Sequence, residues 1–438
     1  MKVLIHVRKW NKNFYRRLAE QAFDNPEITT VSDFRGLSDI WSGEYLYHDS
    51  YDAPNAAFEQ EKEDIIARCR FLRSLPEQKA EELSRRFWNG MEELFCQQRF
   101  DVVLSAAIDC YTMDIIERIA KKNGVQYFSL VTSFVRGYSR FTRRGELYPA
   151  HRNVSREEVN KVLDMLLNDQ YKVTFSLNQE KKSVETIKYF VKRRLVDNLY
   201  FPVMKRKERD IWNYHYNTLS FQEGSYGDYS VKNASKYYKK ISEIQIYRTS
   251  VYVPLHYSPE ATVDYWCDDK KWAFYEQSVI DVIRKSDRNV QFIVKEHPAM
   301  YGKRNINFYK ALSAMPNVQI IHPYENSNQL LRELWNVLVY TGSVGVEALL
   351  RGKKVFTVSE NYYSGISSNI VKVDQIRETE LVGEKLEHDN ENFMHCLLSG
   401  MFQGSSTAGR DIDKSDLAEI AAELRRIYES GNQRKLEE

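Results

Sequence analysis

From about residue 245 the chain repeats a pattern that few folds accommodate: short, uninterrupted apolar runs alternating with amphipathic stretches. Ile246 to Pro254 reads as a strand, 271–285 as a helix, Val290 to Lys295 as a strand, 305–315 as a helix and Val318 to Ile321 as a strand. Ser327 is placed to cap a helix over 328–335, since its hydroxyl can accept from the free N–H groups of a first turn. Val337 to Tyr340 then reads as a strand, 345–351 as a short helix stopped by Gly352, and Val355 to Val358 as a strand. Apolar runs without alternation belong to strands covered on both faces, and strands joined by helices run parallel. The pattern is that of a doubly wound sheet.

The first 150 residues carry a weaker version of the same rhythm. Val3 to Val7 is a candidate strand, 12–23 has helical spacing, and 56–98 is strongly helical and charged. The run from Asp101 to Ala107 ends in small residues, a helix follows over 111–122, Gly124 punctuates it, and Val125 to Val131 supplies the next strand. Between the two α/β halves, 151–244 is polar, helical and partly basic. Its 181–210 stretch holds ten Lys or Arg against four Asp or Glu, interleaved with Leu195, Leu199, Phe201, Val203 and Met204. Such a stretch suits either a solvated helix face or peripheral contact with an anionic membrane surface or acceptor. The expected domains are therefore 1–150, 151–244, 245–400, and a loop and helix over 401–438.

Composition narrows the function classes. A formal net charge of +2 in 438 residues argues against a nucleic-acid binder, which carries a large basic excess. Five dispersed cysteines with no paired spacing suit reduced thiols, and the strand-like N-terminus is too short for a signal peptide, so a cytoplasmic location is expected, at most peripheral to the inner membrane. The 29 tyrosines stand out, and flat rings with a polar tip suit sugar or nucleotide surfaces as well as cores.

In a doubly wound sheet, ligands sit beyond the carboxyl ends of the strands, and three segments end there in polar residues. The first runs Val251-Tyr-Val-Pro-Leu-His256-Tyr-Ser-Pro-Glu260-Ala-Thr. It presents an imidazole and then a carboxylate, with Pro259 restricting Ser258; Glu260 can act as general base or as nucleophile. The second, Lys295-Glu296-His297-Pro298, places a cation and an imidazole where a phosphate or leaving group can be neutralised. The third is the turn Thr341-Gly342-Ser343-Val344-Gly345 with Glu347 in the following helical turn. Glycines admit close approach, a helix start favours phosphate, and Glu347 can accept a sugar or ribose hydroxyl. The turn is neither a Walker A loop nor a GxGxxG fingerprint. Neither Asp268-Asp269 nor Asp411-Ile-Asp413 follows a strand, so no metal site and no cofactor is expected.

Taken in order, Pro-Leu-His-Tyr-x-Pro-Glu-Ala-Thr, Lys-x-His-Pro and Thr-Gly-Ser-x-Gly-x-Glu-Ala-Leu-x-x-Gly resemble the bacterial capsule polysaccharide biosynthesis family, the glycosyltransferases similar to capsular Kdo transferases. The resemblance spans roughly 245–375. It implies a GT-B-like α/β fold of two Rossmann-like domains with a helical insertion, an acceptor half first and a nucleotide-sugar half second. It further implies a CMP-activated Kdo or related nonulosonic acid as donor, a glycan or glycolipid acceptor, and no metal. By that resemblance His297 and Ser343 bind the nucleotide phosphate and Glu260 faces the reacting centre, while residues 1–150 match no motif. Three rivals share the scaffold or setting: a CDP-glycerol-type polyol-phosphate transferase, a hydrolysing sugar-nucleotide epimerase, and a non-catalytic partner in capsule assembly.

Overall fold

In the computed structural model, which describes residues 1–148, 152–168, 188, 231–258, 260–302, 304–404 and 414–437, the apolar runs assemble into two separate sheets. The first contains β1 (Lys2–His6), β2 (Glu27–Ser32), β3 (Ile40–Trp41), β4 (Val102–Ser105), β5 (Gln126–Thr132) and β6 (Tyr138–Thr142). The second contains β7 (Val251–Pro254), β8 (Phe292–Lys295), β9 (Val318–Ile321), β10 (Asn336–Val339), β11 (Lys354–Thr357) and β12 (Ile370–Lys372), and β13 (Phe402–Gln403) returns to the first sheet. The described residues form two units, Met1–Val154 with Leu397–Glu438, and 155–168 with 231–396.

In the first unit the strand order is β13-β6-β5-β4-β1-β2-β3. The strands from β5 to β3 pair in parallel, and β6 and β13 add antiparallel pairs at one edge. Its parallel part has the Rossmann order, winding one way from β1 through β2 to β3 and the other way through β4 to β5. The charged stretch after residue 55 is helical, as its spacing suggests: Ala56–Arg68, Arg70–Arg73 and Glu77–Gln98. The helix Lys414–Glu437 was expected as part of a separate terminal segment. Instead, Leu417, Ile420, Leu424 and Ile427 pack with Val3, Ile5, Leu18 and Phe128 in this unit's core. Its apolar stripe needs a partner, and the helix Lys12–Ala22 and the sheet provide one.

The second unit's sheet is parallel throughout, in the order β12-β11-β10-β7-β8-β9. This is the full six-stranded Rossmann order, with β7 as its first strand and the winding reversal between β7 and β10. Its core joins Val251, Val253, Phe292, Val294, Val318, Ile320, Leu338 and Phe356 to apolar faces of the covering helices. Three expectations shift locally. β7 begins at Val251, because residues 247–250 form a turn in which Ser250 N–H donates to the Tyr247 carbonyl at 2.9 Å. The helix Ser327–Glu333 is capped by Asn326, whose Oδ1 accepts from Asn328 N–H at 2.9 Å, rather than by Ser327. The insertion expected over 151–244 contributes the helices Arg156–Leu167 and Val231–Ser235 to this unit, with Ala234 in its core. Apart from Lys188, the basic 181–210 stretch lies outside the described residues, as does Pro259.

The chain is thus α/β with a GT-B-like content of two Rossmann-like units. Among the described residues no helix is long and apolar enough to cross a membrane.

Candidate functional site at the winding reversal of the second sheet

The loops after β7 and β10 flank the point where the second sheet reverses its winding, and the loop after β8 lies beside β7. The three segments singled out above occupy these three loops. After β7, Leu255 N–H donates to the Lys295 carbonyl at 2.9 Å, and His256 N–H donates to the Tyr275 hydroxyl at 2.9 Å. The half-buried His256 ring sits edge-on to Tyr275 and Tyr340, with centroids at 5.8 and 6.1 Å. Burial, and next the positive charge of Arg304, push its pKa down to about 4, so the imidazole is neutral at pH 7. It also lies against Gly342, where the first carbon of any side chain would come within 3.0 Å of His256 Cε1. The loops after β7 and β10 therefore touch, and a side chain at Gly342 would have to push the His256 ring aside by a few tenths of an ångström.

Glu260 occupies the N-cap position of the short helix Ala261–Asp264, yet its side chain caps nothing. Burial, with Asp264 adding and Thr262 opposing, raises its carboxyl above the ordinary range. A carboxyl moved in that direction is better matched to proton transfer near neutral pH. Tyr257, exposed beside it, meets the His297 ring edge-on at 5.8 Å and so joins the loop after β7 to the loop after β8.

The four residues after β8 divide their work differently from expectation. Lys295 is buried, and its ammonium donates to the Pro323 carbonyl at 3.0 Å, tying down the loop after β9. The expected phosphate cation is thus buried, the last residue of a strand covered along its length, with its ammonium on a main-chain carbonyl. Glu296 is buried too. His297 is half-buried, with Nδ1 accepting from Ala299 N–H at 3.2 Å, which leaves the proton of the neutral ring on Nε2.

In the third segment, Thr341 donates to the Thr262 carbonyl at 2.9 Å, a second tie between the loops after β10 and β7. Gly345 serves packing rather than ligand approach: a side chain there would start 2.2 Å from the Tyr363 hydroxyl, which donates to the Gly342 carbonyl at 2.8 Å. Ser343 stands at the N-cap of the helix Val344–Leu350 without making a cap bond, so its hydroxyl is available. Glu347 is half-buried, with its carboxyl raised by burial and eased by Arg351. Tyr275, Arg304, Tyr340 and Tyr363 went unread in the sequence. They act through partners far along the chain, and only the tyrosine excess hinted at them.

The first unit has a polar cluster at its own winding reversal, between β1 and β4, which the sequence reading did not find. Arg8 binds Asp109 through both terminal nitrogens, one at 2.7 Å. Buried His6 places Nε2 3.4 Å from Asp33, which accepts from Ser42 at 3.1 Å and Thr112 at 3.2 Å. Burial works against the Asp33 charge, but His6 and then Arg8 outweigh it and hold its carboxyl below the usual range. Neither ring nitrogen of His6, nor Arg8 Nε, makes a hydrogen bond among the described residues. No group of three or more His, Cys, Asp or Glu side chains among the described residues is arranged to hold a metal.

The fold and these contacts can now be set beside known proteins. A family model for "Capsule polysaccharide biosynthesis protein" matches residues 109–369, more than half of the chain. No curated protein matches. Among solved structures, a beta Kdo 2,7 transferase of Thermosulfurimonas dismutans KpsC is 12% identical, covering 97% of this chain and 100% of that one, with a TM-score of 0.39. The beta Kdo 2,4 transferase of the same KpsC is 13% identical over 74% of this chain and 87% of that one, with a TM-score of 0.34. The UDP-GlcNAc 2-epimerase of Methanocaldococcus jannaschii is 11% identical over 98% and 99%, with a TM-score of 0.24. On the extent of the family match, with all three motif segments inside it, this chain belongs to the capsule polysaccharide biosynthesis protein family.

Proposed function

We propose that the chain is a nucleotide-sugar-dependent glycosyltransferase that acts on a bacterial surface-glycan or glycolipid acceptor and binds its donor on the second unit. The observation that carries the reading is the packing of His256 on Gly342 across the winding reversal of an all-parallel Rossmann sheet, the place where such sheets bind nucleotides. His297 Nε2–H and the uncommitted Ser343 hydroxyl supply donors to the departing phosphate, and Glu347 accepts a ribose or sugar hydroxyl. Lys295 supports the site by holding the loop after β9. Family membership favours a CMP-activated Kdo or another nonulosonic acid as donor.

As the anomeric carbon–oxygen bond breaks, its electron pair stays on the phosphate, whose charge the His297 and Ser343 donors stabilise. Glu260 then takes the proton of the attacking acceptor hydroxyl, giving inversion. Alternatively, it attacks the anomeric carbon itself and is displaced by the acceptor hydroxyl, whose proton passes to the departed phosphate, giving retention. The raised carboxyl supports the proton-transfer role. The polar cluster of the first unit is the candidate acceptor region.

Thermal-shift titration with CMP, CDP and UDP, followed by product analysis with the matching sugar donor, tests the reading. Stabilisation by CMP and transfer to a glycan acceptor support it. Stabilisation confined to UDP overturns the CMP-activated acidic-sugar donor, and donor turnover with no acceptor present overturns the transferase.

A further inference from the structure

A buried ion pair connects the main chain of the two strand-end histidines. Glu296 Oε1 accepts from His297 N–H at 2.6 Å, and Oε2 accepts from Arg304 Nε at 2.8 Å and from the Tyr309 hydroxyl at 2.6 Å. Arg304, whose side chain is fully buried, extends Nη2 to the His256 carbonyl. Its guanidinium lies 5.3 Å from the ring centroid of Tyr275, whose hydroxyl accepts from His256 N–H. Both main-chain groups of His256 are therefore held, its N–H by Tyr275 and its carbonyl by Arg304, while Glu296 holds the N–H of His297.

Burying two charges costs desolvation energy that their attraction often fails to offset, so such a pair is weak evidence for stability alone. Its contacts here are directed: one carboxylate and one guanidinium bridge the ends of two neighbouring strands, each at the residue that enters the ligand edge. We propose that Glu296 and Arg304 are positioning residues that set the geometry of His256 relative to His297 through the main chain. The inference rests on the reading that these histidines serve the donor site. An arginine is needed because Nε and Nη2 must reach two acceptors in one rigid fork, and a lysine can reach only one.

This gives Arg304→Lys a specific signature. The lysine keeps its charge and can pair with Glu296, so His297 stays in place while the His256 carbonyl is released. In full-length protein with labelled histidines, signals assigned through His256→Gln and His297→Gln, Arg304→Lys moves the His256 ring signals and leaves those of His297 at their wild-type positions. A purely structural role moves both together or neither, and either result overturns the proposal. Should Arg304→Lys fail to fold, Tyr309→Phe removes one contact to Glu296 and keeps both charges. It moves the His297 ring signals, whose N–H Glu296 holds directly, more than those of His256; equal movement of both, or unchanged signals, overturns the proposal. The spectra are recorded without ligand. Their failure therefore leaves the transferase reading standing, and a wild-type protein that binds no nucleotide leaves the positioning result standing.

Discussion

The two units carry related sheets and fill the same topological position in opposite ways. At the winding reversal of the first sheet, Arg8 is paired with Asp109, and Asp33 accepts from Ser42 and Thr112 with His6 3.4 Å away. At that of the second, the groups nearest the edge are a neutral imidazole, an uncommitted hydroxyl and two carboxyls raised by burial, and the charged pair lies one layer deeper. Strand order puts both polar clusters at the same topological position, while the residues just past the strands set how their polar groups are partnered.

The comparison can be broken most severely at Glu260. Glu260→Gln should lower the transfer rate by about 10²–10⁴ with little change in nucleotide affinity, measured by product formation against CMP titration. A rate within about threefold of wild type removes Glu260 from the chemistry. In the first unit, Asp109→Ala should cost about 3–5 kcal/mol of stability by leaving Arg8 buried without its carboxylate, read from denaturant unfolding. Arg8→Met in the same background should recover part of that loss. Gly345→Ala should destabilise the second unit by about 1–3 kcal/mol, through collision with the Tyr363 hydroxyl and ring, and Tyr363→Phe should relieve part of it.

A smaller effect is expected from pH. His256 binds its proton less readily when folded, with a pKa of about 4 against 6.5 for the free side chain. The unfolded chain therefore takes up more protons in that window. The stability contributed by neutral His256 is complete above about pH 6.5 and is lost as pH falls towards 4. His256→Gln should flatten that part of the stability–pH curve relative to wild type. The smallest stability change belongs to Ser343→Ala, within about 0.5 kcal/mol because no cap bond is lost. Its nucleotide affinity should nevertheless fall by about tenfold, the scale of one hydrogen bond to a charged group.

Five strands of the second sheet, β7 to β11, were readable because parallel, covered strands are written as continuous apolar runs closed by polar residues; the half-exposed edge strand β12 was not. The first sheet was less readable. β2 reads Glu-Ile-Thr-Thr-Val-Ser, with polar residues along its length, and β3 and β13 are two-residue strands that exist only through their neighbours. Within the site, the three loops were legible because their position follows from where a strand stops. The orientation of Lys295, the packing role of Gly345 and the contribution of Arg304 were not. Each is decided by a partner many residues away: Pro323, Tyr363 and Glu296 with His256, respectively. A cap such as Asn326 in place of Ser327 differs by one residue, finer than periodicity resolves.

The helix Lys414–Glu437 closes the core that β1 opens, and Arg425 donates to the carbonyl of Ala22 across a separation of 403 residues. During synthesis, at about 5–20 residues per second, the apolar face of β1 and its helix waits on the order of tens of seconds for that cover. The second unit's residues from 231 to 396 emerge inside that interval and can complete their sheet first. Folding order is therefore expected to run against reading order, with the second unit assembled on the ribosome while the earlier unit remains open. Chaperone engagement and early proteolytic sensitivity should then concentrate on the first unit.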